Sequence, residues 1–230
     1  MKYRNELKFY CSEAQLTVLD CRLQEVCSLD PHAGSNGTYR IRSLYFDDYN
    51  NRYYYENEDG VDPREKYRIR IYNENFNKIT LECKRKRNGL NYKESASISS
   101  EDLRQIVDGN ISLIDDSNPL LNKFYIKSQT CLLRPKVIVQ YERKPYIYTD
   151  GNVRITFDRY ISASNQISLF LEKEISPQPV MPYGIHILEV KYDEFLPYFI
   201  YDLLQTSRLQ QTAFSKYYIC RSFYFNQAKH

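Results

Sequence analysis

Hydrophobic and polar residues alternate with a period of two over much of this chain, the signature of strands with one apolar and one polar face. The pattern starts at residues 3–10, where Arg4, Glu6 and Lys8 share one face and Leu7 and Phe9 the other. It returns at 39–47, with Arg40 and Arg42 on one face, and at 67–72, where Arg68 and Arg70 oppose Tyr67, Ile69 and Ile71. Residues 81–86 put Glu82, Lys84 and Lys86 together, and 91–98 bring Lys93 to the same surface after the Asn88-Gly89 turn. Further strands are predicted over 137–148, 152–158, 167–174 and 184–192. In these, Tyr141 shares a face with Arg143, Arg154 with Thr156 and Asp158, and Glu189 with Lys191.

Helical spacing interrupts the strands. Ser12 and Gln15 form a capping box ahead of Leu16, Leu19, Leu23 and Val26, which predicts a helix over 12–28 that ends before Asp30-Pro31. Ser99 and Asp102 cap a second helix reaching Val107, and Asn118-Pro119 opens a third that carries Leu120, Leu121, Phe124 and Tyr125. Residues 195–204 make a fourth, with Pro197 in its first turn. The segment 51–56 suits either a strand or a short helix, and 212–218 is rich in aromatic residues. Asp150-Gly151 is predicted as a two-residue hairpin turn.

Strand after strand therefore carries cations on its polar face, and the helices need apolar surface to cover. The fold class predicted is α+β. A closed antiparallel β-barrel of about eight strands, with a charged lumen and helices packed on the outside, meets both demands. No linker or internal repeat divides the chain, so residues 1–230 are read as one domain.

The cation-x-cation repeats at Arg40/Arg42, Arg68/Arg70 and Lys84/Lys86 set these faces apart from ordinary solvated ones, which mix signs. At roughly 7 Å and an effective dielectric of about 20, each like-charged pair costs on the order of 2 kcal/mol. A bound anion would offset that cost. Arginine's planar fork and lysine's compact charge both suit phosphate oxygens, so a polyphosphate-like anion is the expected counter-charge.

Composition narrows the picture. The formal net charge is only +3, which argues against a nucleic-acid binder and requires any functional cations to be locally concentrated. Six cysteines fall in no CxxC or Cys/His cluster, so neither a zinc site nor a disulfide framework is expected, and the thiols read as reduced. The start of the chain lacks an apolar signal region, and no stretch approaches the ~20 apolar residues that span a bilayer; a cytoplasmic location is expected.

Taken in order, Glu6-x-Lys8, Ile41 to Asp47, Lys66-Tyr-Arg-Ile-Arg70, Leu81-Glu-x-Lys84, Lys93, Tyr141-x-Arg143, Val153 to Asp158, Leu188-Glu-Val-Lys191 and Phe214-Ser-Lys216 form a series. That series resembles the VTC domain, the catalytic domain of polyphosphate polymerases, in the triphosphate tunnel metalloenzyme or CYTH-like superfamily. The resemblance implies a metal-dependent phosphotransferase that moves the ATP γ-phosphate onto a growing polyphosphate chain inside a basic tunnel. Its partners would be ATP and polyphosphate or triphosphate, with no nucleic acid and with room for a membrane-protein partner.

Carried over residue by residue, the resemblance makes Arg68, Arg70, Lys84, Arg143 and Arg154 the catalytic cations. Lys8, Lys93, Tyr141, Lys191 and Lys216 would bind substrate, and Arg42 joins them by alternation along its strand. Glu189 would hold Mn²⁺ or Mg²⁺, with Glu6 and Glu82 as further candidates. Two positions depart from the pattern. Arg4 stands where the superfamily's ExExK motif has its first carboxylate, and Ala213 where some members carry a second lysine. The first departure favours a polymerase over a tripolyphosphatase or nucleoside triphosphatase of the same fold. A non-catalytic polyphosphate sensor is the remaining alternative.

Overall fold

Ser12 ends the first strand and starts the first helix. Its hydroxyl accepts from the Gln15 backbone N–H at 3.2 Å while the Gln15 side chain accepts from the Ser12 N–H at 2.9 Å. The computed structural model describes residues 3–112, 114–115, 117–205 and 209–227. The first half of the chain runs β1 (Asn5–Ser12), α1 (Glu13–Gln24), β2 (Ser28–Leu29), β3 (Tyr39–Asp47), α2 (Arg52–Glu58), β4 (Arg64–Tyr72), β5 (Ile79–Arg87), β6 (Leu90–Ile98) and α3 (Ser100–Val107). The second runs α4 (Pro119–Thr130), β7 (Arg134–Tyr148), β8 (Val153–Ser164), β9 (Gln178–Pro179), β10 (Ile185–Tyr192), α5 (Tyr198–Leu204), β11 (Gln210–Gln211) and α6 (Lys216–Gln227).

The chain divides into two compact units. One gathers residues 1–40, 141–161 and 181–214; the other gathers 41–140, 162–180 and 215–230. In the first unit the strand order is β11-β1-β10-β8-β7, with β1 antiparallel to β10 and β10 to β8. Its core is the apolar sheet face: Ile155, Phe157, Leu188 and Val190 pack with Leu16, Leu19 and Leu23 of α1 and Ile200 and Leu204 of α5. Each of these side chains contributes roughly 1.5–3 kcal/mol by leaving water. Burying this face fixes the register, and with it the side to which every charged residue of these strands belongs.

In the second unit the order is β7-β3-β4-β5-β6, with antiparallel β3/β4, β4/β5 and β5/β6 pairs. The apolar face of β4 and β5 (Tyr67, Ile69, Ile71, Leu81 and Cys83) is fully buried. Phe124 of α4 packs edge-on against Phe46 at 5.1 Å and lies 5.7 Å from the Tyr67 ring. Asp47, at the end of β3, accepts from the Tyr53 and Tyr54 backbone N–H groups and from the Tyr217 hydroxyl, which ties α2 and α6 to the strand.

Several expectations change. Among the described residues eleven strands take part, with pairing that runs from β11 to β6 and β2 and β9 off that path, where a closed barrel of about eight was expected. Residues 167–174 form a 3-10 turn (Ile167–Leu171) instead of a strand, because the Phe170, Glu172 and Lys173 carbonyls turn toward the guanidinium of Arg42 and are withdrawn from any ladder. Helix α1 stops at Gln24, short of 28, where the Leu23 carbonyl accepts from both Val26 and Cys27 and β2 begins. Segment 51–56 is helical, and 212–218 leads into α6.

Candidate functional site

In the second unit, four strands (β3, β4, β5 and β6) place their polar side chains in rows. Register sets Lys66 opposite Lys84 and Lys84 opposite Lys93; the next row is Tyr45, Arg68, Glu82 and Ser95, and the next Ser43, Arg70, Thr80 and Ser97. Arg68 thus faces a carboxylate and not a lysine, and the true run of like charges is Lys66–Lys84–Lys93. Lys66 was not among the expected ligands, although the Lys-x-Arg-x-Arg alternation put it on this face. Its ammonium donates to Asn57 Oδ1 at 2.6 Å and to Ser215 Oγ at 3.0 Å, beside Lys216 at the start of α6.

Glu82, only 2% exposed, sits among these cations. Arg68 Nε donates to Oε2 at 2.6 Å, Lys93 Nζ donates to Oε1 at 2.8 Å, and Arg70 Nη1 lies 3.7 Å from Oε2. Burial alone would raise the Glu82 pKa, but Arg68, Arg70 and Lys93 outweigh it and hold the carboxyl well below the usual carboxylate range. Tyr45 shows the same field. Burial would raise its pKa, yet Arg68, Arg70 and Lys216 bring it below the ordinary tyrosine value, and its hydroxyl accepts from Arg68 Nη1 at 2.9 Å. Tyr72 is lowered likewise against burial by Arg70, over whose ring that guanidinium lies at 5.9 Å. Neither tyrosine was singled out from the sequence.

Arg42 is not on this face. It stands opposite Ile71, one residue out of step with Arg68 and Arg70, so alternation carries it to the other side of the sheet. There it is 1% exposed and donates to Gln140 Oε1 at 3.0 Å and to the carbonyls of Phe170 (3.3 Å), Glu172 and Lys173 (3.0 Å). The expectation that Arg42 lines the charged face is therefore corrected: it satisfies backbone carbonyls.

The first unit carries a second charged face. Lys8 lies opposite Glu189, Glu6 opposite Lys191, and Lys191 opposite Arg154. Lys8 Nζ is 2.8 Å from Glu6 Oε1 and 3.9 Å from Glu189 Oε2, while Lys191 Nζ is 2.5 Å from Glu189 Oε1 and 3.9 Å from Glu6 Oε2. Arg143, its ring neighbour Tyr141 at 5.4 Å, makes a two-point pair with the buried Asp158 and lies 3.6 Å from Glu189. Arg154 Nη2 donates to Asp30 Oδ2 at 2.6 Å and to the Tyr39 hydroxyl at 2.8 Å. Asp158 and Asp30, the carboxylates that aim two of the expected catalytic arginines, were not anticipated; the shared face of Arg154 and Asp158 was the available signal.

Among the described residues no group of three His, Cys, Asp or Glu side chains is arranged to hold a metal ion. Glu6 and Glu189 do suit a divalent cation of the Mg²⁺ type, which uses one or two carboxylates and takes its remaining ligands from water and substrate phosphates. All three expected carboxylates are engaged by cations, Glu6 and Glu189 by Lys8 and Lys191 and Glu82 by Arg68 and Lys93, so a metal would have to displace a cation contact at any of them. Among the described residues no helix is long and apolar enough to cross a membrane.

No curated protein matches this chain. Among solved structures, the PH1819 protein of Pyrococcus horikoshii OT3 superposes with a TM-score of 0.50 at 13% identity, covering 99% of this chain and 100% of its own. A putative adenylate cyclase of Bacillus halodurans superposes with a TM-score of 0.52 at 14% identity, covering 89% and 87%. At such identities the likeness is one of fold. The model of the VTC domain matches residues 3–225, nearly the whole chain, and the protein therefore belongs to the VTC domain family.

Proposed function

We propose that this protein is a polyphosphate polymerase acting as one tunnel domain over residues 1–230 and located in the cytoplasm where ATP is available. The observation that carries the reading is the face holding Lys66, Arg68, Arg70, Lys84 and Lys93 with Glu82 as its one facing carboxylate in those rows. Such a density of cations is best matched by a chain of phosphates.

In the proposed reaction, a terminal oxygen of the polyphosphate chain attacks the γ-phosphorus of ATP. The bond from that phosphorus to the β,γ-bridging oxygen breaks, and the oxygen leaves on ADP with its electron pair. The attacking oxygen is already ionised at neutral pH, so no proton has to be removed. Phosphoryl transfer asks the protein mainly for alignment and charge neutralisation. In the second unit Arg68, Arg70, Lys84, Lys93 and Lys216 would serve these ends, and in the first unit Lys8, Tyr141, Arg143, Arg154 and Lys191. A divalent cation such as Mn²⁺ or Mg²⁺, held by Glu189 and Glu6, would add further neutralisation of the transferring group.

Transfer to water would instead call for a carboxylate that orients the nucleophile. Arg4 occupies the place of the first such carboxylate, and its guanidinium turns to Asp193, 2.9 Å away. This supports a polymerase over a hydrolase. The test is the purified protein with ATP and Mn²⁺, following ADP, inorganic phosphate and chain length together. Chain growth with stoichiometric ADP is expected. Phosphate release without chains would make it a triphosphatase, and tight polyphosphate binding without turnover would make it a sensor.

A further inference from the structure

Three like charges in a row, Lys66, Lys84 and Lys93, beside Arg68 and Arg70 would make an unstable face in the absence of ligand, yet the face contains its own anion. Glu82 is 2% exposed, and its two oxygens accept from side chains of different strands: Oε2 from Arg68 of β4 and Oε1 from Lys93 of β6. With Arg70 at 3.7 Å, three cations converge on one carboxylate. Two oxygens, each gathering cations, are what a phosphate group presents to the same side chains.

We propose that Glu82 is a built-in counter-anion of the phosphate-binding face, which a polyphosphate must outcompete for Arg68, Arg70 and Lys93. The proposal rests on the polyphosphate reading for the identity of the ligand. Glu82 then has two effects of opposite sign. It stabilises the unliganded protein by neutralising the cations, and it lowers the affinity for the anion that replaces it, so that a growing chain is held without being trapped. A metal-ligand role would require both cation contacts to be given up. A merely structural carboxylate would stabilise the fold and leave the anion affinity unchanged.

The experiment compares wild type, Glu82→Gln and Glu82→Asp by calorimetric titration with tripolyphosphate and by thermal unfolding in increasing sodium sulfate. Glu82→Gln is expected to unfold at lower temperature in low salt, to regain stability with sulfate more steeply than wild type, and to bind tripolyphosphate about tenfold more tightly. That is a gain of about 1.4 kcal/mol. Glu82→Asp, which keeps the charge, is expected to stay within about threefold of wild type. Where wild type binds tripolyphosphate, equal or weaker binding by a folded Glu82→Gln protein overturns the counter-anion role. A Glu82→Gln protein too unstable to titrate in low salt is read in sulfate, where failure of sulfate to restore it equally overturns the role. If neither protein binds tripolyphosphate while sulfate still rescues the variant, the counter-anion stands as a neutraliser of the face and the polyphosphate reading falls.

Discussion

Arg143 and Asp158 meet edge to edge, Nε to Oδ1 at 2.6 Å and Nη2 to Oδ2 at 2.7 Å, with Asp158 fully buried. A fork bound at two points is fixed in direction as well as place, so Asp158 is a positioning residue for Arg143. Asp158→Asn is expected to destabilise the protein by about 3 kcal/mol, the cost of leaving a buried charge without its partner. Urea unfolding measures this. A loss under about 1 kcal/mol would mean that Arg143 finds another anchor and that the pair is dispensable.

Arg70 stands differently. Its Nε donates to Ser43 Oγ at 3.2 Å, and Glu82 keeps Arg68 and Lys93 when Arg70 is removed. Arg70→Ala is therefore expected to change stability by less than about 1 kcal/mol, because it also removes like-charge repulsion. Tripolyphosphate affinity should fall about 10- to 100-fold, the worth of one charge-assisted hydrogen bond. Unfolding of this variant at ambient temperature would show Arg70 to be a structural ion-pair residue.

The carboxylates give the protein an acid limit. Burial would raise the Glu65 pKa, but Lys123 and Lys127 lower it, as Arg68, Arg70 and Lys93 lower that of Glu82. A depressed carboxylate contributes stability that is full above the unfolded value of about 4.3 and is lost as pH falls toward the folded value, since the unfolded chain then binds more protons. Asp47 has the opposite sign: burial raises it, so its contribution is present at low pH and lost as pH rises through its folded value. Urea unfolding between pH 5 and pH 3 should show stability falling with acid, by about the ordinary carboxylate window, and Glu65→Gln should flatten that slope. An unchanged slope in the variant would remove Glu65 from the account.

Alternation made the charged faces legible: Lys8, Arg68, Arg70, Lys84, Lys93, Arg143, Arg154 and Glu189 all lie on strands, with the side set by apolar neighbours that must be buried. What alternation does not carry is pairing. That Arg68 meets Glu82 and Lys66 meets Lys84 depends on the register between β4 and β5, which the intervening turn sets. Helix α6 escaped because its dense aromatic residues, Tyr217, Tyr218, Phe223, Tyr224 and Phe225, have strand-like propensity, whereas the Tyr217 hydroxyl on Asp47 and the Tyr218 ring stacked 5.0 Å from Tyr54 hold it in place as a helix. The 3-10 turn at Ile167–Leu171 depends on Arg42, which is distant in sequence.

Gly151 tests the turn between β7 and β8. It has a φ of +70°, and a Cβ there would lie 2.4 Å from the Phe195 carbonyl oxygen. Gly60 has the same φ of +70° with nothing within 4 Å of a Cβ. Gly60→Ala is expected to cost about 1 kcal/mol, the conformational penalty alone. Gly151→Ala should cost about 2–4 kcal/mol, because rigid backbone must move as well. Equal unfolding free energies for the two variants would show that the 195–197 segment yields without strain.

Arg42 separates structural from binding cations. Its guanidinium is 1% exposed and supplies donors to the Phe170, Glu172 and Lys173 carbonyls and to Gln140. Methionine fills similar volume but donates nothing, so Arg42→Met leaves those acceptors without their charged donor, at about 1–3 kcal/mol for each group left unsatisfied. Arg42→Lys is expected to recover only part of that loss, since one ammonium cannot span the carbonyls that the planar fork reaches. Because Arg42 faces away from Arg68 and Arg70, tripolyphosphate affinity measured on the folded fraction should stay within about twofold of wild type in both variants. The two measurements together decide the assignment: a stable Arg42→Met protein with weakened binding would return Arg42 to the phosphate site, whereas an unstable one with intact binding fixes it as the anchor of the 170–173 turn.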